Sequence, residues 1–445
     1  FTVNPSHLES DKNTKSIFLP ADKGSIMKLR TFIKSLGPGL LFAGAAVGVS
    51  HLVQSTRAGA SYGFELVWVL IIANALKYPF MEFAPRYANA TGKSLIDGYA
   101  KIGKWAIILY VILTLSTMFA IQAAVTIVTA GLLASVFHIS LPMPLLTAII
   151  LGIAMVVLGM GHYGTLDKII KWVIVTLAVS TIIAVIYAFG TGFFDQASLT
   201  GNFDWNRHVD ILFLIAFVGW MPAPLDVSVW HSLWSVAKED QLGKRPSIKQ
   251  ALADYNIGYI GAGFLALCFL SLGALVMFGS GQELSGKGTV FSGQLISMYT
   301  ESIGSWAYPV IAVAALTTMI STTITCLDAY PRVLRRSTVL LYPDVKDMDK
   351  YHQKLYWLWI AVVVTGSLLL LGYLSGTMGF IVDLTTTISF VTAPVLAILN
   401  YRVISHGHFP AEFRPKKWLR VYAWLGIFFL TCFSLFYIIW EFFII

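Results

Sequence analysis

Long apolar runs joined by short polar segments organise the chain, and about eleven of them reach the roughly 20 residues that a helix needs to cross a hydrocarbon layer. The pattern predicts membrane-spanning helices over Gly37–Ala60, Phe64–Ala84, Trp105–Phe137, Met143–Met160, Lys168–Phe189, Asp210–Val236, Asn256–Phe278, Tyr308–Leu334, Tyr356–Tyr373, Met378–Asn400 and Trp424–Ile445. Two of the runs are interrupted. Gly48, Ser50, His51 and Gln54 bring polar groups into the middle of the first, and Pro222 and Pro224 within Gly219–Asp226 remove two backbone donors from the sixth. Discontinuous helices five spans apart predict a substrate site at membrane depth. They also predict two repeats of five spans, about 37–189 and about 210–400, and the odd number inserts the second upside down relative to the first. The helix over about 424–445 stands outside the repeats. The expected fold class is an all-α polytopic membrane protein, an inverted repeat of 5+5 helices plus an eleventh, with helices 1 and 6 broken.

Composition supports the membrane assignment: 57% of residues are hydrophobic, only 12% are charged, and the mean hydropathy is +0.73. Lys and Arg then orient the chain. With the N-terminus in the cytoplasm, the inner segments and adjoining span ends hold 27 of the 31. This puts the C-terminus outside and suits a plasma (inner) membrane. The net charge of +8 then reflects topology and anionic lipid rather than nucleic-acid binding. The lipid bilayer is the expected partner, with no obligate protein partner. Cys268, Cys326 and Cys432 fall in apolar spans, so no disulfide framework is expected. Residues 1–34 read as a cytoplasmic tail, with Phe1–Lys28 disordered or surface-lying, ahead of a transmembrane domain over 35–445. By spacing, no nucleophile, base and orienting group converge, so neither enzymatic activity nor a tightly bound cofactor is expected.

From Gly37 to Leu95 the run GPGLLFAGAAVGVSHLVQSTRAGASYGFELVWVLIIANALKYPFMEFAPRYANATGKSL resembles the start of the NRAMP (natural resistance-associated macrophage protein) divalent metal transporters. Trp220–Met221–Pro222 is similar to that family's Met-Pro-His helix break, and Ser321–Thr325 falls on the matching eighth span. The resemblance implies a LeuT-like inverted repeat over roughly 30–440. It also implies that the family's metal-binding Asp-Pro-Gly-Asn positions are Gly48, Val49, Ser50 and His51 here, so the anionic ligand is missing. A divalent ion leaving water needs charge and hard oxygen donors in exchange. Met221 keeps the family's soft sulfur ligand, while the neighbouring His becomes Ala223. The third-span proton carboxylates correspond to Gln122 and Val125, and the tenth-span Gln corresponds to Thr386.

Ionisable side chains within spans are functional candidates because burying them in hydrocarbon is costly. His51 offers a metal ligand, a proton acceptor or a substrate hydrogen bond; its structural alternative ties broken backbone together. Asp226, one turn after Pro222, can replace the missing carboxylate or cap the restarted half-helix. With His51 and Met221 it would form a mixed N, S and O site, bordered by Gly48, Ser50 and Thr386. Candidates for coupling or gating are Gln122, His231, Ser321, Thr322, Thr325, Asp328, Arg332 and Asp383. Of these, Asp328 and Arg332 have the i, i+4 spacing of an intrahelical pair, and Ser321–Thr325 matches where related LeuT-like folds place sodium. Lys77 and Glu82 read as a snorkelling lysine and a rim glutamate. The expected function is secondary-active transport of a divalent metal cation, with altered metal site and proton coupling. The alternatives are transport of a small organic or monovalent solute, or a non-transporting sensor on the same scaffold.

Overall fold

Each of the eleven apolar stretches gives rise to helix in the computed structural model, which describes residues 37–160, 163–190, 201–243, 245–342, 348–374 and 377–441. The N-terminal tail lies outside them. The first stretch is divided into α1 (Pro38–Ala46), a π-helical segment (Ser50–Ser55) and α2 (Thr56–Tyr62), with a bend of 47° across the division. Next come α3 (Val67–Thr91), α4 (Leu95–Ile102), α5 (Lys104–Phe137), α6 (Met143–Gly159) and α7 (Tyr163–Gly190). The sixth stretch is again divided, into α8 (His208–Trp220) and α9 (Asp226–Leu242). The remainder is α10 (Ile248–Val276), α11 (Gly288–Ile303), α12 (Ala307–Leu341), α13 (Met348–Tyr373), α14 (Met378–Ser405) and α15 (Lys417–Ile439).

Among the described residues, seven helices have the length and apolarity to cross a bilayer, or eight if the bent first pair is one span. Met143–Gly159, Val175–Gly190 and His208–Trp220 are shorter apolar helices. The protein has an all-α, multi-span membrane fold. Two helices were not visible in the apolar pattern. α4 has eight residues and starts at a capping box in which Ser94 N–H donates to Asp97 Oδ2 at 3.0 Å. α11 occupies 16 residues of the segment 279–307, which the apolar pattern leaves as the longest loop. Both are too short or too polar to register as spans.

Layering follows from which helices bury their apolar residues. α12 keeps 78% of its most apolar window inside the protein, against 22% for α13 and 28% for α15. α12 is therefore central, and α13 and α15 present faces such as Leu369 and Phe428 outward, where hydrocarbon is their solvent. Around α12, the helices α1, α5, α7 and α13 pack directly. The other central helix, α10, touches α1, the π segment and α2 alike. Glycines allow that contact. A Cβ on Gly258 would sit 2.0 Å from Gly39 O, and one on Gly59 would sit 1.9 Å from Leu270 O. The backbones thus meet directly on both sides of the bend, as small residues permit in membrane bundles.

Candidate functional site

At the first division, Val47 and Gly48 leave the helix. At the opposite, N-terminal end of α1 the carboxylate of Asp254 accepts Gly39 N–H at 2.8 Å and Gly37 N–H at 3.2 Å, satisfying donors that the first turn cannot pair internally. Ser50 Oγ donates to Ala46 O at 2.6 Å and lies 3.3 Å from Pro222 O in the second division. His51 is fully buried, and both ring nitrogens have protein partners. Nε2 lies 2.8 Å from the Ala262 carbonyl, so it carries a hydrogen and donates; Nδ1 lies 2.8 Å from Ser50 Oγ. The ring ties the π segment to α10.

At the second division the chain leaves α8 at Trp220 and restarts at Asp226. The last carbonyls of a helix lack internal donors. Here Lys77 Nζ supplies them, donating to Val218 O at 2.6 Å and Gly219 O at 2.7 Å. Lys77 is 0% exposed, so the snorkelling expectation is corrected: its stem leads inward to a helix end, where positive charge is favoured by the dipole. Glu82, also read as a rim residue, is buried against Arg86. Trp220 Nε1 donates to Ser389 Oγ at 2.9 Å and fixes the end of α8 to α14. Met221 Sδ accepts from Ser55 Oγ at 3.7 Å, a second link between the divisions.

Between them lies a cavity of about 20 Å³, bounded by Ala46, Val49 and Ser50, by Trp220 and Pro224, and by Val125 and Thr322. This is room for about one water-sized guest. Gly48 adjoins it through Thr322, whose side chain a Cβ would meet at 3.0 Å. No carboxylate lines it. Asp226 is buried but turns toward α5, where Oδ2 accepts Thr117 Oγ1 at 3.1 Å. None of His51, Met221 and Asp226 lines this cavity. Among the described residues no three His, Cys, Asp or Glu are placed to hold a metal ion.

The remaining candidates separate into groups. Gln122 Nε2 donates to Thr126 Oγ1 at 3.2 Å and Thr323 O at 3.3 Å, while its Oε1 is buried without a partner. Thr322 Oγ1 bonds back to Thr318 O at 3.0 Å; Ser321 and Thr325 are buried on the same helix. His231 is buried among Phe42 and Tyr255, with Nε2 unpartnered. Asp328 and Arg332 form the expected pair at 2.7 Å, and Tyr356 O–H donates to the other carboxylate oxygen at 2.5 Å. That pair faces a cavity of about 530 Å³ at the N-terminal end of α1, which Lys238, Arg335 and Arg336 also line.

At the end of the π segment is a cluster of which the sequence reading named Gln54, Asp383 and Thr386. Arg57 donates to both oxygens of Asp383, at 2.7 and 3.0 Å, and Gln54 Nε2 donates to Asp383 Oδ1 at 3.0 Å. Thr386 Oγ1 accepts from Gln54 Nε2 at 3.4 Å. Arg57 also stacks over Phe213 at 5.1 Å. The missed residue was Arg57, and Gln54 had been named without its partners. Their spacing of three puts them on one helix face, which was the available signal.

Comparison with known proteins places this architecture. An uncharacterised protein of Pasteurella multocida is 35% identical over 407 residues, 91% of this chain and 92% of that one. The divalent metal cation transporter MntH of Latilactobacillus sakei is 25% identical over 340 residues, covering 72% and 70%. Among solved structures, the Eremococcus coleocola manganese transporter bound to an aromatic bis-isothiourea compound superposes with a TM-score of 0.61 at 15% identity, covering 94% of this chain and 88% of that one. MhsT in complex with L-phenylalanine reaches 0.60 at 14% identity, covering 89% and 98%. Residues 39–440 match the Nramp, natural resistance-associated macrophage protein-like, family model, and the chain belongs to that family.

Proposed function

We propose that the protein is a secondary-active transporter working by alternating access, with its cargo held between the two helix divisions. One observation carries the reading: segments 172 positions apart meet through Ser50 and Pro222 across a cavity of single-guest size. In this reading the chain forms two inverted five-helix repeats plus α15, with the N-terminus cytoplasmic and the C-terminus outside. Arg57 and Asp383 close the outer end, and the 530 Å³ cavity is the inner vestibule. A divalent metal cation is the leading cargo, supported by the family and by the names of its relatives. Ser50, Met221 and Thr386 would contribute neutral donors, Gly48 would leave space, and His51 would position the π segment. The test is Mn²⁺ uptake into proteoliposomes with calorimetry. Saturable uptake that Cd²⁺ inhibits is expected, and His51→Ala abolishes it; absence of binding heat for either ion at millimolar concentration removes the metal reading.

A small organic or monovalent solute is the second reading, and Lys77 favours it. Its Nζ occupies the two carbonyls beside the second division, and no carboxylate lines the cavity to offset a divalent ion. Uptake of a carboxylate-bearing solute that ignores every metal gradient would decide for it. Gln122, His231, Ser321, Thr322, Thr325, Asp328 and Arg332 are assigned to coupling or gating in either case.

A further inference from the structure

Transporters with broken helices commonly use the carbonyls at a half-helix C-terminus to coordinate a coupling cation. The end of α8 has that form, but the Val218 and Gly219 carbonyls both accept from Lys77. Lys77 reaches them from α3, 141 positions earlier, and is completely buried. It has no ion-pair partner among the described residues, since Glu82 is engaged by Arg86. A buried ammonium without a carboxylate is stabilised only by such dipoles, so two carbonyls on a negative helix end are the complement it requires. The Met221 N–H also points to Val218 O at 3.3 Å, which leaves Gly219 O dependent on Lys77 alone.

We infer that Lys77 is a tethered cation: it permanently fills the cation position at the second helix division, so that no exchangeable ion binds the Val218 and Gly219 carbonyls. The consequence is a specificity rule for the transporter reading, on which that consequence rests. Coupling by Na⁺ at this position is replaced by a charge built into the fold, and any cargo cation must find its donors elsewhere.

Thermal unfolding of the detergent-purified protein tests this without requiring transport. Replacing choline with Na⁺ or methylammonium leaves the wild-type Tm unchanged. Lys77→Ala unfolds at lower temperature, and methylammonium raises its Tm saturably because the truncated side chain leaves both the carbonyls and the space of the ammonium. Lys77→Met fills that space with apolar atoms and gains nothing. A saturable Na⁺ or methylammonium response in the wild type, or a folded Lys77→Ala that ignores both, overturns the inference. A wild-type measurement covers variants that fail to fold. Brief acetic anhydride treatment acylates exposed Lys93 while sparing Lys77, and equal modification of the two overturns the seating of the ammonium. Proteoliposomes that move no solute would end the transporter reading and leave these results standing.

Discussion

The two helix divisions solve the same problem with different chemistry. Each must satisfy backbone groups in a region without water, where an unpaired peptide is costly. The first does so with neutral groups: Ser50 and His51 fasten the π segment. The second uses a buried ammonium on the carbonyls that close α8. Donors exposed at a helix start call for an acceptor, and carbonyls exposed at a helix end call for a donor. Asp254, at the N-terminal end of α1 away from the division, and Lys77, at the end of α8, are the two answers, each delivered by a neighbouring helix. The difference also bears on cargo. Polar atoms at the first division keep contact with the cavity through Ser50, whereas the strongest acceptors at the second are already occupied.

The contrast breaks most readily where packing rather than polarity holds the first division. Gly59→Val drives a branched side chain into the Leu270 carbonyl and should cost about 3 kcal/mol or more, seen as a lower Tm in detergent. An unchanged Tm would mean that α2 and α10 are not in backbone contact. Asp254→Ala strips the cap from α1 and leaves two buried N–H groups, an expected loss of about 2 kcal/mol. Asp254→Asn should retain part of it. A loss from Asp254→Ala as small as that of an exposed carboxylate would remove the symmetry drawn between Asp254 and Lys77. The smallest effect on stability is expected at the partly exposed Arg57–Asp383 pair, where Arg57→Gln should cost less than about 1 kcal/mol. Its effect on access should be larger: in a Thr386→Cys background, Arg57→Gln should speed labelling by an impermeant thiol reagent added from the side of the pair. Equal labelling rates would deny the pair a closing role.

Much of the fold could be read in the sequence because a bilayer imposes a minimum length on apolar runs. Helix positions from Gly37 to Ile439 followed from that alone, and Pro222, Pro224, Gly48 and Ser50 marked the divisions. α4 and α11 fell below the length that the rule detects. Side-chain partners were far less legible. Lys77 near the end of a span reads as a snorkelling residue, and its acceptors are carbonyls, which carry no side-chain signature. Arg57, near the end of the first expected span, shows no partner until the fold brings Asp383 to it from 326 positions away. Asp226 shows the converse. Its place after Pro222 suggested a replacement carboxylate or a cap for the restarted half-helix, and the fold adds a partner on α5, Thr117, through a helix phase that the prolines do not set.

The glycine contacts of α10 have a mechanical consequence. A single helix fastened at Gly258 to one limb of a bent element, and near Leu270 to the other, acts as a splint. The 47° angle between those limbs then cannot open or close unless main chain slides over main chain. Any large rearrangement must carry Ile248–Val276 together with Pro38–Tyr62 as one stiff body, and the pivots belong where that body meets its neighbours.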